Sequence, residues 1–215
     1  TLIMKNIGRR NFLKKTSLSA ASLYLAGSVG CSEKENNLSG GKYMGDFSAS
    51  KLDTVRIAII GVGARGSGHA RQLAIIEGTE IVAIADLYED WVDRSVTNCV
   101  AAGNGRHQNI ARYFGGDGDW KKMLAEVKPD AVFIATNWSN HAPMAIEAMN
   151  QGAHAFVEVP LALTLAEMWQ IVDTSERTQK HCMMMENVNY GREELMYLNM
   201  CRQGVIGELL HGEAA

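Results

Sequence analysis

Val55-Arg56-Ile57-Ala58-Ile59-Ile60-Gly61-Val62-Gly63-Ala64-Arg65-Gly66 reads as a short, β-branched strand running directly into a glycine turn. Such a run suits a buried strand of a parallel sheet, covered on both faces. From Ser67 to Glu77 the apolar residues Ala70, Leu73, Ala74 and Ile76 recur at the spacing of one helix face. Strand, G-x-G-x-x-G turn and helix thus follow in the order a dinucleotide-binding unit requires. Each glycine has its own task there: Gly61 permits the tight turn, Gly63 lets the backbone approach a pyrophosphate, and Gly66 lets helix and strand pack closely. Phosphates then meet the free N–H groups and the positive end of the helix.

Taken alone the glycine motif is weakly specific, and its surroundings supply the specificity. Glu80-Ile81-Val82-Ala83-Ile84-Ala85-Asp86 reads as a second strand ending in an acid, 20 positions beyond Gly66. A carboxylate there accepts the adenosine ribose hydroxyls and repels a 2′-phosphate, which selects NAD over NADP. The bland reading of Asp86 is a helix cap or turn residue. Asp119 to Leu124 continues as helix and Ala131 to Thr136 as strand. Trp138-Ser139-Asn140-His141 follows at that strand's carboxyl end, where open α/β sheets bind ligands. Two readings stay open for His141: contact with the cofactor, or a cap on the next helix.

The alternation runs on through a helix from Pro143 to Gln151, a strand from Ala153 to Val157, and Glu158-Val159-Pro160. A helix over Leu165 to Thr178 and a strand over Cys182 to Met185 complete it. The expected fold class is therefore α/β, a Rossmann-type doubly wound parallel sheet, over residues 54–189. The methionine triplet Met183-Met184-Met185 reads as core filler.

The chain has 215 residues, 47% of them hydrophobic and 21% charged, an ordinary globular composition. A net charge of −3 arises from interspersed acids and bases, which leaves no basic stripe for nucleic acid. Cys31, Cys99, Cys182 and Cys201 are widely spaced and form no C-x-x-C pair, which argues against a zinc site or a disulfide framework. The last three read as small buried hydrophobes.

The first 31 residues differ from the rest. Met4 opens a basic segment in which Arg9-Arg10-Asn11-Phe12-Leu13-Lys14 resembles a twin-arginine export signal. The apolar stretch from Leu18 to Val29 is about half the ~20 residues of a membrane-spanning helix. Ser28-Val29-Gly30-Cys31 resembles a lipoprotein cleavage box, with Ser28 where leucine is usual. Cys31 is then either the site of a lipid anchor or an ordinary residue beside a simple cleavage. The expected location is periplasmic, or on the outer membrane or cell surface. Residues 32–53 are polar and small, too poor in apolar groups to pack, and read as a flexible tether.

Together these residues resemble the Gfo/Idh/MocA oxidoreductase family, from about Val55 to Ala215. The match rests on the glycine loop, Asp86, Ala135-Thr136-Asn137-Trp138-Ser139-Asn140-His141, Glu158-Val159-Pro160 and Gly204-Val205-Ile206-Gly207-Glu208. One departure matters. Dehydrogenases of this family carry Glu-Lys-Pro where this chain has Glu158-Val159-Pro160, and valine cannot move a proton. With Glu186-Asn187-Val188-Asn189-Tyr190-Gly191-Arg192-Glu193-Glu194 and the leader, the variant is similar to glycoside hydrolase family 109, whose prototype activity is α-N-acetylgalactosaminidase.

That resemblance implies an NAD site made by Ala64, Arg65, Asp86, Trp138, Ser139, Asn140, His141, Glu158, Val159 and Asn187, beside Gly61, Gly63 and Gly66. It implies transient oxidation of a sugar at C3, elimination, water addition and re-reduction, rather than a pair of flanking carboxylates. A glycan or glycoside substrate, no metal, and a homo-oligomer formed through a second domain are further implications. Residues 190–215 would begin that α+β substrate domain, with Leu209 to Ala215 as a strand, and the catalytic groups would lie mainly beyond Ala215. Two other functions stand beside this one: a secreted sugar dehydrogenase of the same superfamily, and a binding module that kept the fold without the chemistry.

Overall fold

The computed structural model describes residues 42–213; Arg9, Arg10 and Cys31, on which the export and lipid-anchor readings rest, lie outside the described residues. Six strands, β1 (Val55–Ile60), β2 (Thr79–Asp86), β3 (Ala111–Phe114), β4 (Ala131–Ile134), β5 (His154–Glu158) and β6 (Cys182–Met185), form one sheet in the order β3-β2-β1-β4-β5-β6. Every pairing is parallel. This is the Rossmann strand order, with the switch point between β1 and β4.

Residue parity along the strands explains the layers. Ile57 and Ile59 of β1 point to one face, where Ala70, Leu73 and Ala74 of α1 (Ala64–Ile75) and Val92, Val96 and Cys99 of α2 (Glu89–Ala102) cover them. Ala58 and Ile60 point to the other, beneath Met123 and Leu124 of α3 (Asp119–Val127), Met144, Ala145 and Met149 of α4 (Trp138–Asn150) and Ile171 of α5 (Leu165–Thr178). Period-two side chains on the central strands thus feed two separate cores.

Helix α1 is built asymmetrically. At its carboxyl end Arg106 donates to the carbonyls of Ala74, Ile75 and Ile76, and His107 Nε2 lies 3.0 Å from the Ala74 carbonyl. These groups satisfy the orphan acceptors of the last turn. His107 Nδ1 accepts the Ile81 N–H at 3.2 Å, so Nε2 carries the proton it donates to Ala74. The β1–β2 register slips between Ile57 and Ala58, pairing them with Ile81 and Ala83. The buried histidine takes up the N–H at that irregularity. At the amino end Gly63 caps α1 with no side-chain hydrogen bond, and the first turn holds no acid.

Several expectations are corrected. Helix α1 begins at Ala64, inside the glycine motif, and ends at Ile75; Ile76 is its exposed cap. Helix α4 begins at Trp138 rather than Pro143, and carries that proline in its second turn. Met183 and Met184 are exposed because β6 is the sheet edge, uncovered among the described residues. Cys99 is buried, but Cys182 and Cys201 are only half-buried. Residues 209–213 form no strand. A final helix, α6 (Arg192–Arg202), has no buried residue and exposes Leu195, Met196, Tyr197 and Leu198.

Residues 42–47 of the polar segment before β1 do make contacts with the domain. The Lys42 N–H donates to the Glu176 carbonyl at 3.2 Å, and Gln179 Nε2 donates to the Lys42 carbonyl at 3.2 Å. Phe47 lays its ring against His181, centroids 5.1 Å apart. Met44 and Phe47 are half-buried there, while the other residues from 42 to 54 are exposed. No helix among the described residues is long and apolar enough to cross a membrane.

Candidate cofactor site

The carboxyl ends of β1, β2, β4, β5 and β6 gather most of the residues singled out from sequence. Gly61 has φ of +84°, and a Cβ there would come 2.6 Å from the Ala135 carbonyl oxygen of the adjoining strand end. A Cβ at Gly66 would overlap the carbonyl oxygen of Gly61. Gly61 is therefore fixed by its positive φ and by the neighbouring β4 end, and Gly66 by the turn itself. Gly63 has an added reason: a Cβ would meet the Trp91 ring of α2 at 3.0 Å. The open amino end of α1 behind this turn leaves its N–H groups and its positive end for an anion.

Asp86 ends β2 beside the turn. Its Oδ2 accepts the Val62 N–H at 2.7 Å and its Oδ1 the Tyr88 N–H at 3.2 Å, which pins the carboxylate at the lip of the loop. Outside it lies an open cleft of about 630 Å³ lined by Leu87, Tyr88, Phe114 and Gly115 with the acids Glu89, Asp90 and Asp93. Apolar walls suit an aromatic base, and the carboxylates oppose an additional phosphate.

At the other end of the site the sequence missed a residue. His69 Nε2 lies 2.7 Å from Glu158 Oε1, which also takes the Arg65 Nε at 3.2 Å. Arg65 Nη2 reaches Asn187 Oδ1 at 2.8 Å, and Glu158 Oε2 accepts the Val159 N–H at 3.2 Å. Burial by itself would raise the Glu158 pKa; the His69 hydrogen bond, the Val159 N–H and the Arg65 charge outweigh it and hold the group below the usual carboxylate range. The available signal for His69 was its spacing: Arg65 and His69 stand four residues apart, on one face of a helix.

Trp138, Ser139 and Asn140 are exposed in the first turn of α4, whose cap Asn137 makes no side-chain bond. His141 is placed otherwise. Its ring is 1% exposed, with Nδ1 2.7 Å from the Pro160 carbonyl and Nε2 3.1 Å from the Thr136 carbonyl. The ring braces the Glu158-Val159-Pro160 turn against the end of β4 and is closed off from solvent. Val159 projects an apolar side chain that is 42% exposed. Among the described residues no cluster of three or more His, Cys, Asp or Glu could hold a metal.

A nucleotide fits this geometry: uncapped helix end, two glycines that no other residue could replace, a pinned carboxylate and an exposed guanidinium beside the turn. The family model of oxidoreductases with an NAD-binding Rossmann fold matches residues 55–186. The chain is 60% identical over 176 residues to glycosyl hydrolase family 109 protein 1 of Akkermansia muciniphila, covering 82% of this chain and 36% of that protein. It is 50% identical over 215 residues to an α-N-acetylgalactosaminidase of Shewanella oneidensis, covering 99% and 46%. It spans less than half the length of these curated relatives. Among solved structures, scyllo-inositol dehydrogenase from Lactobacillus casei with bound NAD(H) and scyllo-inositol superposes with a TM-score of 0.62 at 22% identity, over 72% of this chain and 43% of that one. The match of sequence family, strand order and glycine-loop geometry makes this chain a member of the Gfo/Idh/MocA oxidoreductase family, with an NAD-binding Rossmann domain.

Proposed function

We propose that this chain is the cofactor-binding part of an NAD-dependent glycosidase acting on α-N-acetylgalactosaminides or similar glycans. The observation that carries the reading is Val159, half-exposed where the resemblance to oxidoreductases calls for a proton-transferring lysine. The neighbouring Glu158 is a poor substitute for that lysine, because its hydrogen bonds to His69 and the Val159 N–H and the Arg65 charge hold it ionised, below the usual carboxylate range. A site without its own proton shuttle at this position suits a reaction whose proton transfers are made from elsewhere in the protein. The relatives named for glycoside hydrolysis at 50% and 60% identity support the same choice.

In this reading the N–H groups of Ala64, Arg65 and Gly66 at the open end of α1 hold the pyrophosphate, and the Arg65 guanidinium adds charge. Asp86 accepts the ribose hydroxyls and disfavours NADP. The first turn of α4, from Trp138 to the His141 backbone, with Glu158, Val159 and Asn187, lines the far half of the cofactor. NAD, when bound, supplies reversible two-electron oxidation of the sugar and ends each cycle in its starting state.

The leader joins this proposal: Arg9-Arg10 directs export of the folded protein, and Cys31 carries a lipid that leaves the domain periplasmic or at the cell surface. Folded export lets the cofactor travel with the enzyme. The full-length protein, given a chromogenic α-N-acetylgalactosaminide in deuterated water, should release the aglycone with deuterium at sugar C2 and no accumulating NADH. Stoichiometric NADH would favour a sugar dehydrogenase instead.

A further inference from the structure

Arg65 and His69 converge on one oxygen. The Arg65 Nε and Nη2 lie 3.2 and 3.1 Å from Glu158 Oε1, and His69 Nε2 lies 2.7 Å from it. The three side chains are graded in exposure: Arg65 is 62% exposed, His69 21% and Glu158 12%. The guanidinium is therefore the solvent-facing member, the imidazole is mostly covered, and the carboxylate is the buried pivot. A carboxylate only accepts, so His69 Nε2 carries the proton it shares. Arg65 also reaches Asn187, beyond β6, which makes the cluster a strap from α1 across the ends of β5 and β6.

We propose that His69 is a positioning residue of the NAD site: it fixes the Glu158 carboxylate, which in turn holds the Arg65 guanidinium beside the open amino end of α1. The proposal rests on the cofactor reading of the glycine loop and is independent of the sugar. An arginine as exposed as Arg65 would otherwise sample many rotamers, and ordering it during binding would weaken affinity. Truncating His69 removes the shortest bond of a largely buried carboxylate and frees it to abandon the arginine. Nothing reactive is asked of His69, and its effect passes through Glu158.

The test is NAD affinity, measured by calorimetry on full-length protein stripped of cofactor. His69→Ala should weaken NAD at least tenfold. His69→Gln keeps an N–H donor at similar reach and should restore affinity to within threefold of wild type. Glu158→Gln should weaken NAD as His69→Ala does, and the double substitution should be no weaker than Glu158→Gln alone. The proposal is overturned by a His69→Ala affinity within threefold of wild type, by a His69→Gln protein as weak as His69→Ala, or by additive losses in the double variant. Should His69→Ala not fold, His69→Gln set beside Glu158→Gln decides: retention in the first with loss in the second supports the role, and equal loss overturns it. A wild-type protein that binds no NAD overturns the cofactor reading beneath it.

Discussion

The two ends of the sheet use similar residues for opposite purposes. Along β5 they lie about 13 Å apart, from His154 to Glu158, at roughly 3.3 Å per residue. At the carboxyl end a histidine, an arginine and a carboxylate are drawn together with the guanidinium left facing outward, and the α1 and α4 amino ends carry no side-chain cap. At the amino end polar groups are closed on one another. Arg56 N–H donates to Asp130 Oδ2 at 2.8 Å, the His154 N–H donates to the Asp130 carbonyl, and His154 Nδ1 accepts the His181 N–H at 2.9 Å. Phe47 then covers the His181 ring. Function sits where the donors are left unspent, and stability where they are used up.

The largest expected effect comes from the open end. Gly66→Ala drives a methyl group into the Gly61 carbonyl, which a backbone in a buried turn cannot vacate, and should abolish measurable NAD binding. Two residues along the same helix, a Cβ at Gly68 meets nothing within 4 Å. Gly68→Ala should therefore leave NAD affinity intact and stabilise the fold by up to about 1 kcal/mol through helix propensity, read by urea unfolding. Asp86→Ala comes next: losing charged acceptors for the ribose should weaken NAD by about 3 kcal/mol, roughly a hundredfold, so that the protein is purified without it. Unchanged retention would remove Asp86 from the site.

Much of the open end was legible in the sequence because its constraints are local. Gly61, Gly66 and Asp86 stand at spacings that the strand–turn–helix–strand unit imposes; the structure shows a steric reason for the two glycines and a hydrogen bond to the turn for Asp86. The long-range contacts were not legible. His69 and Glu158 are 89 positions apart, and only the crossing of α1 over the end of β5 unites them. His141 fits a helix start equally well as cofactor contact or cap, and its actual place as a brace depends on where the Pro160 carbonyl turns. The four-residue strand β3 alternates half-buried and exposed positions and carries little signal of its own, whereas α2 does show a helical stripe in Val92, Val96 and Cys99 that sequence reasoning passed over. At the closed end Phe47 and Met44 were too few to suggest packing, yet two anchors suffice when backbone groups join them.

The ends also respond to acid in separate windows. His154 has its pKa lowered from about 6.5, first by burial and then by the charges of Lys180 and His181, with Asp130 opposing. A histidine depressed in the folded state binds its proton more readily when unfolded. Its contribution is thus whole above about pH 6.5 and shrinks as pH falls below that. Glu158 is depressed from about 4.5, so its contribution is whole above that value and is lost as pH drops through its folded-state value. Urea midpoints between pH 8 and 5.5 should therefore report the closed end, and those below pH 4.5 the open end as well. His154→Asn keeps an acceptor for the His181 N–H without titrating, and should flatten the first window alone.

The smallest effect tests whether the ends are separate at all. Phe47→Ala removes the ring from His181 and should cost about 1 kcal/mol, the scale of one aromatic contact. The loss should be local: the Lys42 amide, bonded to the Glu176 carbonyl, should exchange with deuterium faster, while amides in β1 and β4 do not change. NAD affinity should stay within twofold of wild type, because His181 and Glu158 share no hydrogen-bond partner and are joined only through the rigid backbone pairing of β5 with β6. A fall in NAD affinity on Phe47→Ala would mean that the docked segment strains or relaxes that strand pair, and the division into a spent end and an open end would give way to a single coupled unit.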